Sequence, residues 1–318
     1  MKPHVLVHCA YEDYAAALRA DAREGLTAPG KRLSVRWSLD GRGRRLLDRI
    51  TGGGDYRFGA AERELVGRLA DPVIRAMRPH TLVHVGPTGL RAARPLWQAA
   101  RRHTPMRTVN FCDTPHSRLG ETLRPLSSEF AHTDWYGLVS ALPAALPALP
   151  GDPPRLLWCL GEWFTALSAA ERRGQLTALR ARCSPGDRLL VTTTTEAAQA
   201  MADLSAETEP AAEFNRNVLY VLNHVLDTEC LETSFDHTVS DRGGRAELRL
   251  RARTAFRLPL TALGFGIELA AGEEIATFGM TDLPHDRIDG ELTAAGFRPR
   301  DRWTDDGHGV TVTLAEAA

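Results

Sequence analysis

Two short stretches carry residue types suited to holding a nucleoside. Gly86-Pro87-Thr88-Gly89 follows at once on a β-like run, residues 81–85. Glycines there let the backbone approach a ligand closely, because no Cβ intervenes. Asp113 closes a second β-like run, residues 107–112, and a carboxylate at a strand end can accept both hydroxyls of an adenosine ribose. Turn glycines and terminal aspartates also arise in α/β proteins without a ligand, so the pair stands as a candidate only. Gly161 ends a further apolar run, 155–160, between Trp158 and Trp163. Trp163 falls just past that strand end, where ligands bind, although core packing is the other reading. His84, inside the first run, reads as a hydrogen-bonded core histidine. Thr192 to Thr195 fit a packed strand end. Arg42, Arg44, Arg45 and Arg49 read as a solvated helix face.

The elements that must position these residues follow from periodicity. Helical spacing appears over 14–24, 44–50 and 60–77. From 81 to 195, β-like runs (81–85, 107–112, 155–160, 189–195) alternate with helical ones (90–101, 117–124, 172–182). That alternation predicts βαβ units and a parallel sheet. After Glu196 it stops. A helix over 214–226 precedes antiparallel strands over 245–256, 261–269 and 273–277, then a helix over 288–295 and a hairpin of strands over 298–303 and 310–314.

Composition narrows the function classes. The 318 residues include 39 Lys plus Arg and 40 Asp plus Glu, a net charge of −1. No global basic field for nucleic acid results, and no polybasic membrane signal. Almost all the positive charge is arginine, with lysine only at Lys2 and Lys31. Apolar residues make up 43%, yet no run is long enough to span a bilayer. The most apolar window, 137–150, is broken by Pro143, Pro147 and Pro150. The five cysteines form no C-x-x-C pair, so neither a disulfide framework nor a metal site is expected. With no signal-peptide profile at the N-terminus, the expectation is a cytoplasmic protein with a small-molecule partner, no nucleic acid and no membrane. The sequence leaves the oligomeric state open.

A longer signature lies in the second half. Glu213-Phe214-Asn215-Arg216-Asn217-Val218-Leu219 is followed by Leu222-Asn223, Phe235-Asp236-His237, Ala271-Gly272-Glu273-Glu274-Ile275, Ala295-Gly296-Phe297 and Trp303-Thr304-Asp305. Earlier come Gly25-Leu26-Thr27, Trp37, Gly43, Ile50-Thr51, Asp55-Tyr56 and Glu62-Arg63-Glu64. In this order the motifs resemble the histidine-specific Nα-methyltransferases of ergothioneine biosynthesis. The resemblance runs from about residue 18 to 314. It implies an α/β protein: a class I methyltransferase Rossmann-like domain that binds S-adenosylmethionine, over 62–195 and 287–318, and a second α+β substrate-binding domain over 1–61 and 196–286. The closing hairpin fits that sheet, where a last strand inserts antiparallel.

By the same resemblance, Gly86, Thr88, Gly89, Asp113, Asp134, Trp135 and Gly161 are the cofactor-binding residues. Asp134-Trp135 takes the place of the family's Asp-Phe pair beside the adenine. The match is partial: His84 replaces an acid, Pro87 and Thr88 replace Ser-Gly, and Ala92 replaces a lysine. The substrate positions depart further. Leu39, Leu204 and Ala166 stand where the family holds the amino acid with two tyrosines and an asparagine. Phe278 and Met280 stand where it grips the imidazole with Glu and Ser. Tyr56 survives and is the hydroxyl expected to orient an acceptor. Phe278 and Met280, two apart on a strand, share a face, and are expected to line an apolar cavity opposite Leu39 and Leu204. The function expected is N-methylation of a small amine or amino-acid-derived acceptor other than histidine. A non-catalytic or partner-dependent relative, and an enzyme using S-adenosylmethionine for another reaction, are the alternatives.

Overall fold

The computed structural model describes residues 3–7, 9–52, 56–113, 119–130, 133–139, 151–205, 208–241 and 243–318. In chain order its elements are β1 (His4–Val7), α1 (Tyr11–Thr27), α2 (Gly41–Thr51), α3 (Arg57–Met77), β2 (Thr81–Val85), α4 (Leu90–His103), β3 (Thr108–Asp113), α5 (Leu119–Glu129), β4 (Asp134–Val139) and β5 (Arg155–Cys159). There follow α6 (Trp163–Ala166), α7 (Ala169–Arg180), β6 (Arg188–Thr194), α8 (Ala197–Leu204), α9 (Thr208–Leu226), β7 (Phe235–Asp241), β8 (Arg245–Ala252) and β9 (Phe256–Leu260). Last come β10 (Phe265–Leu269), β11 (Glu274–Thr281), α10 (His285–Ala294), β12 (Phe297–Asp305) and β13 (Val310–Ala317). The chain divides into two units. One comprises Met1–Ala10, Arg57–Glu196 and Asp282–Ala318; the other comprises Tyr11–Tyr56 and Ala197–Thr281.

The first unit is built on an eight-stranded sheet ordered β1-β4-β3-β2-β5-β6-β13-β12. Strands β1 to β6 run parallel, and β13 inserts antiparallel between β6 and β12. From β2 the chain works outward through β3 and β4, then returns to lay β5 on the other side of β2. The order therefore reverses at β2 and β5, and a crevice forms where successive connections part in opposite directions. Alternation along β2 assigns its faces. Val83 and Val85 join a fully buried cluster with Leu157, Cys159, Phe164, Leu176, Ile288 and Phe297. His84 points the other way into rings: its plane stacks on Phe111 at 5.2 Å, and its Nδ1 accepts from Trp158 Nε1 at 2.8 Å. An indole N–H only donates, so Nδ1 is the bare nitrogen and the ring is neutral. His84 is thus the core histidine its position suggests.

The structure adds β1, β4 and the one-turn helix α6 to the elements expected of this unit. Residues 1–10 were grouped with the substrate-binding part, but β1 pairs with β4 in parallel, His4 opposite Tyr136. The strand has four residues, all exposed, too short for periodicity to register. Strand β4 was not read at all, and its Asp134 and Trp135 lie at the amino end of the strand.

The second unit has a three-stranded sheet, β11-β8-β7, and a two-stranded one, β10-β9. The run 245–256 is therefore two strands, not one. Ala246, Leu248, Leu250 and Ala252 of β8 are buried. On the opposite face Glu247 bonds Arg245 and Arg249, and Glu274 bonds Arg251.

One buried charge ties α7 to α10. Arg172, 1% exposed, donates from Nε and Nη2 to the two carboxylate oxygens of Glu291, both at 2.7 Å, and from Nη1 to Leu167 O. Removing the carboxylate leaves a buried guanidinium without its counter-charge, so Glu291→Ala should cost roughly 3 kcal/mol of unfolding free energy. Urea denaturation checks this, and a loss below about 1 kcal/mol would contradict it.

Candidate functional site at the carboxyl ends of the parallel strands

Two turns meet at the switch point. Gly86 follows β2 and its N–H donates to Cys112 O at 3.0 Å, which draws the turn to the end of β3, where Asp113 stands. Gly161 follows β5 with φ +76°. A Cβ there would lie 2.7 Å from Thr88 Oγ1 and 2.8 Å from Gly89 N, closer than such atoms come. Only glycine allows that approach. Thr88, 6% exposed, fastens the turns: its hydroxyl donates to Leu160 O at 3.2 Å and accepts from Trp163 N at 3.1 Å. Gly86, Thr88, Gly89, Asp113 and Gly161 are thus assembled at one edge of the sheet.

Asp134 and Trp135 are not among them, which corrects the sequence assignment. Asp134 is opposite Thr108, the first residue of β3, while Asp113 is opposite Val139. A six-residue strand separates the two ends by about 17 Å. Trp135 is buried against Phe111 at 5.9 Å and Trp97 at 6.3 Å, so it is a core residue on the aromatic face. The segment after Val139, at the correct end of β4, lies outside the described residues.

Trp163 and Glu62 also bear on this site. Trp163 covers Gly86: a Cβ on Gly86 would sit 2.6 Å from Trp163 Cδ1. The indole is fixed by Gln175, whose Oε1 accepts from Nε1 at 3.0 Å, and Gln175 also reaches Cys159 Sγ. The second is Glu62 on α3, 3% exposed, whose Oε1 accepts from Gly161 N at 2.6 Å. Burial pushes its carboxyl from the ordinary 4.5 up to about 7, against the opposing pull of the Thr192 hydroxyl and the Gly161 N–H. Glu162 adds to the rise. Its signal was legible: Phe58, Glu62, Leu65, Leu69 and Val73 follow helical core spacing, with an acid at one core position.

The substrate-pocket candidates divide between the units. Ala166 ends α6 in the first unit and is buried. Leu39, Tyr56, Leu204, Phe278 and Met280 belong to the second and are each 3% exposed or less. Phe278 is opposite Leu248 and Met280 opposite Ala246, so the two share the apolar face of β11. The Phe278 ring sits edge-to-face on Phe214 at 5.3 Å. The residues around Phe214 act as scaffold. Asn215 Nδ2 donates to Arg249 O and meets His237 Nδ1, both at 2.8 Å, and Thr277 Oγ1 donates to Asn215 Oδ1. Asn217 Nδ2 donates to Asp40 Oδ1 at 2.7 Å, the oxygen that also caps α2 through Gly43 N.

Among the described residues no group of three or more His, Cys, Asp or Glu is placed to hold a metal. His80 and His84 are four apart but serve differently: His80 Nδ1 faces Pro153 O, and His84 is in the core. No helix among the described residues is long and apolar enough to cross a membrane.

A mostly parallel sheet with a closing antiparallel hairpin, and two glycine turns and an acid at its switch point, define the Rossmann-like methyltransferase class. The profile of the histidine-specific, S-adenosylmethionine-dependent methyltransferases matches residues 18–317, and the chain belongs to that family. It is 31% identical to a histidine N-alpha-methyltransferase of Mycolicibacterium smegmatis, over 97% of both chains. To the one of Mycobacterium tuberculosis it is 30% identical, over 99% of both. Among solved structures, the CcbJ methyltransferase of Streptomyces caelestis is 13% identical with a TM-score of 0.44, covering 85% of this chain and 98% of its own. The mitomycin 7-O-methyltransferase MmcR is 15% identical with a TM-score of 0.48, over 97% and 69%.

The family's cofactor can be tested against this chain. The backbone brings Asp113, the last residue of β3, beside the Gly86 turn. At Gly86 itself, one side of the glycine is already occupied by the Trp163 ring.

The pH dependence of stability follows from Glu62. Its folded pKa lies above the unfolded value, so its contribution is complete below about pH 4.5 and is lost as pH rises through about 7. Glu62→Gln should therefore gain on the parent by roughly 2–3 kcal/mol between pH 5 and pH 8. Parallel stability profiles in denaturant titrations across that range would contradict it.

Proposed function

We propose that this S-adenosylmethionine-dependent methyltransferase methylates a small amine or amino-acid-derived acceptor other than histidine. The observation that carries the reading is the apolar character of the acceptor positions. Leu39, Ala166, Leu204, Phe278 and Met280 are apolar and all five are buried, and by the family resemblance they stand where polar groups hold the acceptor. A zwitterion brought against such side chains gives up water and gains no partner, at several kcal/mol for each charged group. An acceptor with an indole or alkyl body and one amine suits these positions better, with the Tyr56 hydroxyl orienting the nitrogen.

When bound, the cofactor supplies an electrophilic methyl on a sulfonium. In this reading Asp113 accepts the ribose hydroxyls, and the Gly86, Thr88, Gly89 and Gly161 backbone shapes the remainder of the cleft. The chain's own contribution is alignment and exclusion of water rather than proton transfer.

Incubation with histidine and S-adenosylmethionine, followed by mass spectrometry, is expected to give no methylated histidine. Accumulation of mono-, di- or trimethylhistidine sinks the proposed acceptor class. Asp113→Ala is expected to weaken S-adenosylmethionine binding at least tenfold by calorimetry, the loss of roughly two hydrogen bonds to a carboxylate. Unchanged affinity would mean that the cofactor lies elsewhere.

A further inference from the structure

We propose that Glu62 is a positioning residue that holds the Gly161 turn, and through it the Thr88–Gly89 loop, in the form that receives the cofactor. The inference rests on the cofactor binding at the carboxyl ends of β2 and β5. The link is short and continuous. Glu62 Oε1 accepts from Gly161 N at 2.6 Å, inside a region where the side chain is 3% exposed. Gly161 has no Cβ and lies directly on Thr88 and Gly89. Thr88 in turn bonds both Leu160 O and Trp163 N. A shift of the Gly161 amide therefore moves the hydroxyl, the glycine and the indole that border Gly86. Glu62 bonds Gly161, and Gly161 lies on Thr88 and Gly89, so Gly161 is the relay.

The acid form and the carboxylate hold that amide differently. A charged acceptor makes a hydrogen bond roughly twice as strong as a neutral one. The charged groups acting on Glu62 are Glu162 on the turn after β5, which disfavours the carboxylate, and Arg63 on its own helix, which favours it. From β6 the neighbour is Thr192, which does not ionise. Deprotonation near neutral pH tightens the clamp, because the bond to Gly161 becomes charge-assisted.

The test measures S-adenosylhomocysteine affinity by calorimetry at pH 6 and pH 8 for the parent, Glu62→Gln and Glu62→Ala. Amide hydrogen exchange at Gly161 is followed in the same three proteins without ligand. The parent is expected to bind about threefold or more tightly at pH 8 than at pH 6. Glu62→Gln keeps a neutral acceptor for the amide, so it should bind like the parent at pH 6 and show no pH slope. Glu62→Ala should bind at least about tenfold more weakly at both pH values and exchange the Gly161 amide at least about tenfold faster. A Glu62→Gln slope equal to the parent's, or Glu62→Ala affinity and exchange equal to the parent's, overturns the role assigned to Glu62 and leaves the cofactor site standing. A parent protein that does not bind S-adenosylhomocysteine at all overturns the cofactor site and the role together.

Discussion

The close approach of two turns at the switch point of the sheet governs the rest of the first unit. Gly161 must carry no side chain, because Thr88 and Gly89 occupy the space where its Cβ would go. That contact forces the connection after β5 to turn sharply, and the short helix α6 begins two residues after Gly161. Trp163, the first residue of α6, is thereby brought over Gly86 and fixed by Gln175 of α7. The helix that precedes β2 supplies Glu62 to the free amide of the same turn. A region with so many buried backbone groups must satisfy each one, and here a threonine hydroxyl and a carboxyl do it. The cost is a carboxyl group pushed up to about 7 by burial.

The second unit solves a different problem with the same economy of polar groups. Its most distinctive sequence run, Phe214 to Asn217, is held by hydrogen bonds and a ring contact within the unit. Asn215 and Asn217 bond across to β8, β11 and the cap of α2, which registers helix α9 against sheet and loop. Phe214 meanwhile supports Phe278. Leu204, Phe278 and Met280 of the same unit are apolar and buried.

Much of this was readable from sequence because it depends on local pattern. The β/α alternation, the Gly86 turn, the acid at Asp113 and the closing hairpin all announce themselves through spacing. Other features depend on contacts between distant residues. Asp134-Trp135 matched a motif by composition, but a one-strand displacement sent it to the opposite end of the sheet. No local rule reports which end of a strand a pair occupies when the strand itself is not recognised. Strand β1 escaped because four residues hold too little periodicity. Glu62 was visible as an acid in a row of core positions, yet only the fold shows that the amide it serves is Gly161. The packing of Trp163 on Gly86 depends on how tightly two loops close, which spacing does not encode.

Every role proposed for these residues requires the cofactor to lie at the carboxyl ends of β2 and β3. The most direct measurement is a crystal structure of the complex with S-adenosylhomocysteine. The expected result is a ribose with both hydroxyls within about 3 Å of the Asp113 carboxylate, and the amino-acid half running along Gly86 and Thr88. A nucleoside seated away from Asp113, or a Gly86 turn still sealed by Trp163 with the ligand bound elsewhere, would contradict it.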